Sequence, residues 1–93
     1  MTHEVRNNAE QSRYELWLDG HLVALADYHL TKDAVVFPHT EVEARLRGRG
    51  LGAVLVQGAL DDVRPTGRRV VPHSWYVAQF IDEHPEYQDL LAA

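Results

Sequence analysis

Apolar and polar residues alternate strictly from Arg13 to Leu18, with Tyr14, Leu16 and Leu18 on one face and Glu15 and Trp17 on the other. A period of two is that of a strand with one face buried. Asp19-Gly20 follows, a pair that favours a two-residue hairpin turn. The pattern resumes over His21–Leu30, with Ala24, Ala26 and Tyr28 on one side and Val23 and Leu25 on the other. Thr31-Lys32-Asp33 reads as the next turn and Ala34–Val42 as the next strand. Pro38 lies inside that strand and cannot donate to a ladder, so a bulge or a sheet edge is expected there. Upstream, a short strand is expected around Glu4-Val5-Arg6, closed by a turn at Asn7-Asn8.

After Val42 the period changes. Leu51, Val54, Leu55, Ala59 and Val63 recur at helical spacing, which predicts an amphipathic helix lying on the sheet. Pro65-Thr66-Gly67 stops it. Arg69–Pro72 reads as a short strand able to add beside the meander. Trp75–Glu83 reads as a second helix with Val77, Phe80 and Ile81 inward and Ser74 placed to cap it. Pro85 ends that helix and opens a last short one through Leu91. The class is α+β: a mostly antiparallel sheet of about five strands, two main helices and a short C-terminal helix.

Ninety-three residues, 45% apolar and 25% charged, suit a single globular domain over residues 1–93 with a modest core. No apolar run approaches the ~20 residues that span a bilayer, and the N-terminus lacks a signal-peptide pattern. There is no cysteine, so disulfides and thiolate zinc sites are excluded. A cytoplasmic location without membrane contact is the expectation. The six histidines form no i, i+4 helical pair or tight cluster, and no metal site is expected. A net charge of −5 argues against a general nucleic-acid surface. Six of the nine basic residues nevertheless fall between Arg45 and Arg69. Arg64, Arg68 and Arg69 follow the first helix and would complement its dipole. Arg45, Arg47 and Arg49 precede it, where cations oppose the dipole and an anionic ligand would relieve the conflict.

Between those arginines stand Gly48, Gly50 and Gly52. Glycines offer no side chain for packing, so all three are expected to serve backbone conformation and ligand approach. Strand, glycine loop and helix N-terminus together suit a phosphate or pyrophosphate. There is no Gly-Lys-Ser/Thr ending of a Walker A loop, and the spacing is wrong for a dinucleotide fingerprint.

Arg47-Gly48-Arg49-Gly50-Leu51-Gly52 resembles the acetyl-CoA loop of the GNAT N-acetyltransferases, Arg/Gln-x-x-Gly-x-Gly/Ala, at each defined position. Val42 and His39-Thr40 upstream are similar to the short, stand-alone members of that superfamily. So are Val70-Val71-Pro72 to Tyr76-Val77-Ala78 and the His84-Pro85-Glu86-Tyr87 ending. The resemblance spans nearly the whole chain. It implies acetyl-CoA as co-substrate, held by the Arg47–Gly52 loop with the strand around Val42 orienting the pantetheine arm, and an amine as acceptor. Full-sized members carry helices between the first two strands that help build the acceptor site. Here only Ala9–Ser12 lies there, so the acetyl-CoA half is implied and much of the acceptor half is absent.

Acyl transfer to an amine needs a placed carbonyl, an uncharged amine and a proton for the leaving thiolate. His39 and Glu41 share one strand face and are candidates for the base. Against that stand a half-exposed strand histidine and a solvated carboxylate. The position matching Ser74 is usually cysteine in the short family, so a covalent relay is excluded here and direct attack is expected. Ser74 is otherwise a helix cap. Tyr76 is the candidate proton donor to the thiolate, or else a core aromatic paired with Phe80. One alternative is a non-catalytic CoA or acyl-CoA-binding module. Another is a small nucleic-acid-binding domain using Arg45–Gly50. The acceptor's identity and the oligomeric state stay open.

Overall fold

Strands form where the period-two pattern predicts them. In the computed structural model, which describes residues 2–92, β1 (His3–Asn8), β2 (Arg13–Leu18), β3 (His21–Leu30) and β4 (Ala34–Val42) make an antiparallel meander. A three-residue strand, β5 (Arg69–Val71), adds parallel to β4, giving the order β1-β2-β3-β4-β5. Helix α1 (Leu51–Val63) carries the chain between those two strands, and α2 (Trp75–Glu83) follows β5. The expected C-terminal helix is a 3-10 segment, Pro85–Leu90, and further 3-10 turns occupy Ala44–Leu46 and Arg64–Thr66.

Asn7 and Asn8 complete β1 rather than turning; they pair with Tyr14 and Arg13. Their side chains explain this. Asn7 Oδ1 accepts the Tyr28 hydroxyl at 2.7 Å, and Asn8 Nδ2 donates to Glu15 at 3.0 Å. Both are held in the sheet, and Asn8 also opens the reversal, its O and Oδ1 accepting from Gln11 N at 3.2 Å. The reversal falls to Ala9–Ser12, where Ser12 takes φ 54°.

One core cluster joins the sheet to both helices. Tyr14, Leu16, Ala24, Ala26, Tyr28 and Phe37 meet Leu55, Val56, Ala59, Leu60 and Val63 of α1 and Val77, Phe80 and Ile81 of α2. The buried face of α1 is wider than the expected stripe. Val56 and Leu60 join it because the helix packs on α2 as well as on the sheet, while Val54 is only half-buried. The end of α1 is pinned on both sides: Tyr14 donates to Asp62 and Tyr87 to Asp61, each at 2.7 Å. Burial, then the bond to the Asp61 carboxylate, pushes the Tyr87 phenol up to about 12. At Gly58 the helix comes so near β1 that an added Cβ would lie 2.7 to 2.9 Å from three carbons of Val5.

Register sets the two sheet faces. Leu16, Ala24 and Val42 align across neighbouring strands on the helix-covered face, and so do Tyr14, Ala26 and Thr40. Arg13, Asp27 and His39, with Glu15, Leu25 and Glu41, align on the other, which no α-helix covers among the described residues. Polar side chains roof part of that bare face. Glu15, only 5% exposed, accepts Arg13 Nε at 2.7 Å and Asn8 Nδ2 and Trp17 Nε1 at 3.0 Å. The Arg6 guanidinium sits 4.6 Å over the Trp17 ring. Burial pushes the Glu15 carboxyl up, but these hydrogen bonds and the Arg13 charge outweigh it and hold it below its ordinary range.

Pro38 does produce the expected bulge. Val36 faces His29 and His39 faces Asp27, so Tyr28 of β3 spans both Phe37 and Pro38 of β4. The parallel ladder to β5 also stops here, at Val36 and Val71, with one further bond from the Ser74 amide to Phe37 O at 2.6 Å. From Pro38 to Val42 the outer edge of β4 faces no strand among the described residues.

Gly58→Ala should cost about 1–3 kcal/mol through overpacking on Val5, although alanine is the better helix former. Chemical denaturation checks this, and unchanged stability would refute the close approach. A depressed carboxyl stabilises the fold above its unfolded pKa, and the effect is lost as pH falls through the folded pKa. Glu15→Gln should therefore cost about 1–3 kcal/mol at pH 7 and flatten the loss of stability below pH about 4.3. A parallel pH profile would show that the network contributes nothing.

Candidate functional site

The chain leaves β4 at Val42, makes the 3-10 turn and enters α1 through Arg47–Gly50. Gly48 has φ 86° and Gly50 φ 76°, and a Cβ at either would meet nothing within 4 Å. These two are glycines for conformation, since L residues pay a penalty in the left-handed region. Gly50 stands at the N-cap without a side chain to cap anything, and the first intrahelical bond runs from Val54 N to Gly50 O at 3.2 Å. The N–H groups of Leu51, Gly52 and Ala53 precede it and point out of the positive end of a 13-residue helix. Arg47 Nε reaches Val42 O at 3.4 Å and ties the loop to the strand end. Arg45 pairs with Glu43, and Arg49 is exposed.

Gly52 corrects the expectation for the third glycine. It is buried, helical and of ordinary φ, and an added Cβ would lie 2.6 Å from Tyr76 Cε1. Its missing side chain is filled by the Tyr76 ring. This glycine is there for packing.

A cavity of about 330 Å³ opens between the loop and α2. Val42, Leu46, Arg47, Gly48, Gly50, Leu51 and Gly52 form one side, and Trp75, Tyr76, Gln79, Phe80, Glu83 and His84 the other. Trp75 stands on the rim, 69% exposed and edge-on to Tyr76 at 5.4 Å. Phe80 does not pair with Tyr76 as the spacing suggested. It stacks on His84 at 4.0 Å and contacts Tyr87. Tyr76 is a candidate from the sequence; Trp75, Gln79 and Glu83 escaped the sequence reading, although they recur every four positions on that helix's polar side.

The four candidate catalytic residues fall in three places. His39 Nε2 and Glu41 Oε2 lie 3.2 Å apart on the bare face, both exposed. Tyr76 is half-buried in the cavity on the helix side. Ser74 is buried between them and is no side-chain cap: its Oγ lies 2.8 Å from Thr40 Oγ1 and makes no bond to the helix amides. No base is bonded to it. The second arginine cluster also has a different task from dipole complementation. Arg64 bonds Asp89 and Glu86 O, Arg69 bonds Asp89 O, and Arg68 reaches Thr31 O, so the three anchor the C-terminal segment and the β3–β4 turn. Among the described residues no group of three potential metal ligands gathers, and no helix is long and apolar enough to cross a membrane.

The end of β4, a left-handed glycine loop and the open N-terminus of α1 thus meet around one cavity. Residues 13–90 match the family model of the GCN5-related N-acetyltransferases, and the chain belongs to that acyltransferase family. A GCN5-like protein from Staphylococcus aureus, solved by NMR, superposes with a TM-score of 0.73 at 16% identity, over 97% of this chain and 88% of that one. The crystal structure of a ribosomal-protein-alanine N-acetyltransferase from Brucella melitensis biovar Abortus 2308 gives a TM-score of 0.63 at 20% identity, over 87% and 61% respectively. That of the ribosomal-protein-S18-alanine N-acetyltransferase from Escherichia coli gives 0.59 at 20% identity, over 62% and 38%. The chain thus spans well under two thirds of the Escherichia coli enzyme. At these identities the likeness is one of fold. Comparison with curated proteins by sequence finds no significant match.

Gly52→Ala should cost about 1–3 kcal/mol, and less in a Tyr76→Ala background. A double-mutant cycle with a coupling of about 1 kcal/mol or more is expected; additive costs would show that the ring does not set the glycine requirement.

Proposed function

We propose that the protein binds acetyl-CoA, the co-substrate of this family, and transfers the acetyl group to an amine by direct attack. The observation that carries this reading is the pair of left-handed glycines beside three free helix amides, at one end of a cavity that leads to the free edge of β4. The residues fit a pyrophosphate: open space where side chains would stand, donors aligned with a helix dipole, and Arg47 in the cavity lining. The side of Pro38–Val42 that β5 does not pair suits the amides of a pantetheine arm, which would lie against the strand as a further strand does.

Attack then proceeds across the sheet. On the bare face, a neutral His39 takes the proton of the incoming ammonium, with Glu41 orienting the imidazole. The amine nitrogen bonds to the thioester carbon, the C–S bond breaks, the second proton shed by the new amide nitrogen passes to solvent, and the sulfur takes one on the cavity side from Tyr76, which solvent reprotonates. Base and acid thus serve opposite sides of one carbonyl. Ser74, buried and bonded to a hydroxyl, takes no nucleophilic part.

Thermal melting with acetyl-CoA, free CoA and a nucleotide control is the first test. A ligand at 100 times its Kd adds about 2.7 kcal/mol, and a shift of several degrees is expected. No shift at millimolar acetyl-CoA would end this reading; a shift without turnover of any amine would leave a CoA-binding module. Gly50→Val should weaken CoA binding at least tenfold, both by strain at φ 76° and by crowding the phosphate. His39→Ala should lower kcat about 10²-fold or more with CoA affinity unchanged; equal losses in both would make His39 structural.

A further inference from the structure

We propose that Thr40 and Ser74 form a hydroxyl pair that receives the acyl carbonyl of the bound thioester, Thr40 donating to it and Ser74 holding Thr40. The inference rests on the reading that acetyl-CoA lies along the free edge of β4.

Ser74 stands at the N-cap of α2, where a serine side chain ordinarily bonds a helix amide. It forgoes that bond. Its Oγ instead meets Thr40 Oγ1 at 2.8 Å, across the split between β4 and the start of α2. The split is already closed next door, where the Ser74 amide donates to Phe37 O at 2.6 Å. A ligand arm that enters from the cavity past Val42 and follows the β4 edge therefore stops beside this pair.

Either hydroxyl can donate by geometry, and burial argues for Ser74 as the donor. Ser74 is 5% exposed and Thr40 only partly buried. With Ser74 donating to Thr40, the Thr40 proton is left to point into the split. The reverse would strand the Ser74 proton in a buried site, at the cost of an unmade donor. An arm ending here finds one outward donor where its carbonyl oxygen lies, and that oxygen gains negative charge as the amine adds. The proton stays on Thr40; only a hydrogen bond forms and strengthens. Beyond the pair the Ser74 amide is bonded to Phe37 O, which closes the split and favours a short acyl group.

The test uses Thr40→Val, which keeps the shape and the β-branch, and Thr40→Ser, which keeps the hydroxyl. Calorimetry compares acetyl-CoA with free CoA for each. The wild type should prefer acetyl-CoA; Thr40→Val should lose that preference with CoA affinity unchanged, and Thr40→Ser should restore it. In turnover, Thr40→Val should lower kcat about 10²-fold with little change in KM. Ser74→Ala should fall between, as a positioning residue would, and should admit propionyl-CoA better than the wild type does. Intact CoA binding with the acetyl preference and kcat retained in Thr40→Val would overturn the proposal. Absence of CoA binding in the wild type would overturn the reading beneath it, and this inference with it.

Discussion

Strand β4 has two partners over its first half and one over its second, and the site follows from that change. Through Val36 its peptide groups are shared between β3 and β5. At Phe37-Pro38 a bulge re-aims the strand and a residue without an N–H enters the ladder. Beyond it the outer edge is unpaired, in a protein where most backbone donors and acceptors are satisfied internally. An unpaired edge beside a cavity invites a ligand with peptide-like groups. The start of α2 is fixed by the last bond before the edge opens, and the loop into α1 begins where the edge ends.

The three glycines of the loop divide two physical tasks that look alike in sequence. Gly48 and Gly50 let the backbone turn left-handed with open space around them. Gly52 is an ordinary helical residue whose missing Cβ admits an aromatic ring. The loop is thereby joined to α2: Tyr76, the proposed proton donor, rests on the first turn of the helix whose amides are proposed to hold the cofactor. Rigid placement of that kind is what orientation effects in catalysis require.

Most elements were legible because each is written twice, once in its periodicity and once in its end signals. Asp19-Gly20 and Pro65-Thr66-Gly67 marked real boundaries, Pro38 marked a real bulge, and the spans of β2, β3, β4, α1 and α2 follow the pattern residue for residue. What the pattern could not show depends on partners far along the chain. Asn7 and Asn8 have turn chemistry, but Tyr28 and Glu15 recruit them into β1. Ser74 has cap chemistry, but Thr40 lies across the split. Residue types at the candidate site were readable from the glycine and histidine positions. The face each would occupy was not, because the Pro38 bulge shifts the alternation by one and only the β3–β4 register settles that His39 and Glu41 lie opposite the helices.

The bare sheet face carries a consequence for the proposed chemistry. Where the longer fold places helices, this chain has a four-residue turn and a layer of Arg6, Arg13, Glu15 and Trp17 side chains, set toward the β1 side and away from His39. An amine reaching His39 would come through open solvent, and so would water. Hydrolysis of the thioester is then the competing reaction, with the solvent at overwhelming concentration. Success for such a small catalyst would be measured by how its acyl group partitions between the two nucleophiles, and less by how tightly it encloses either.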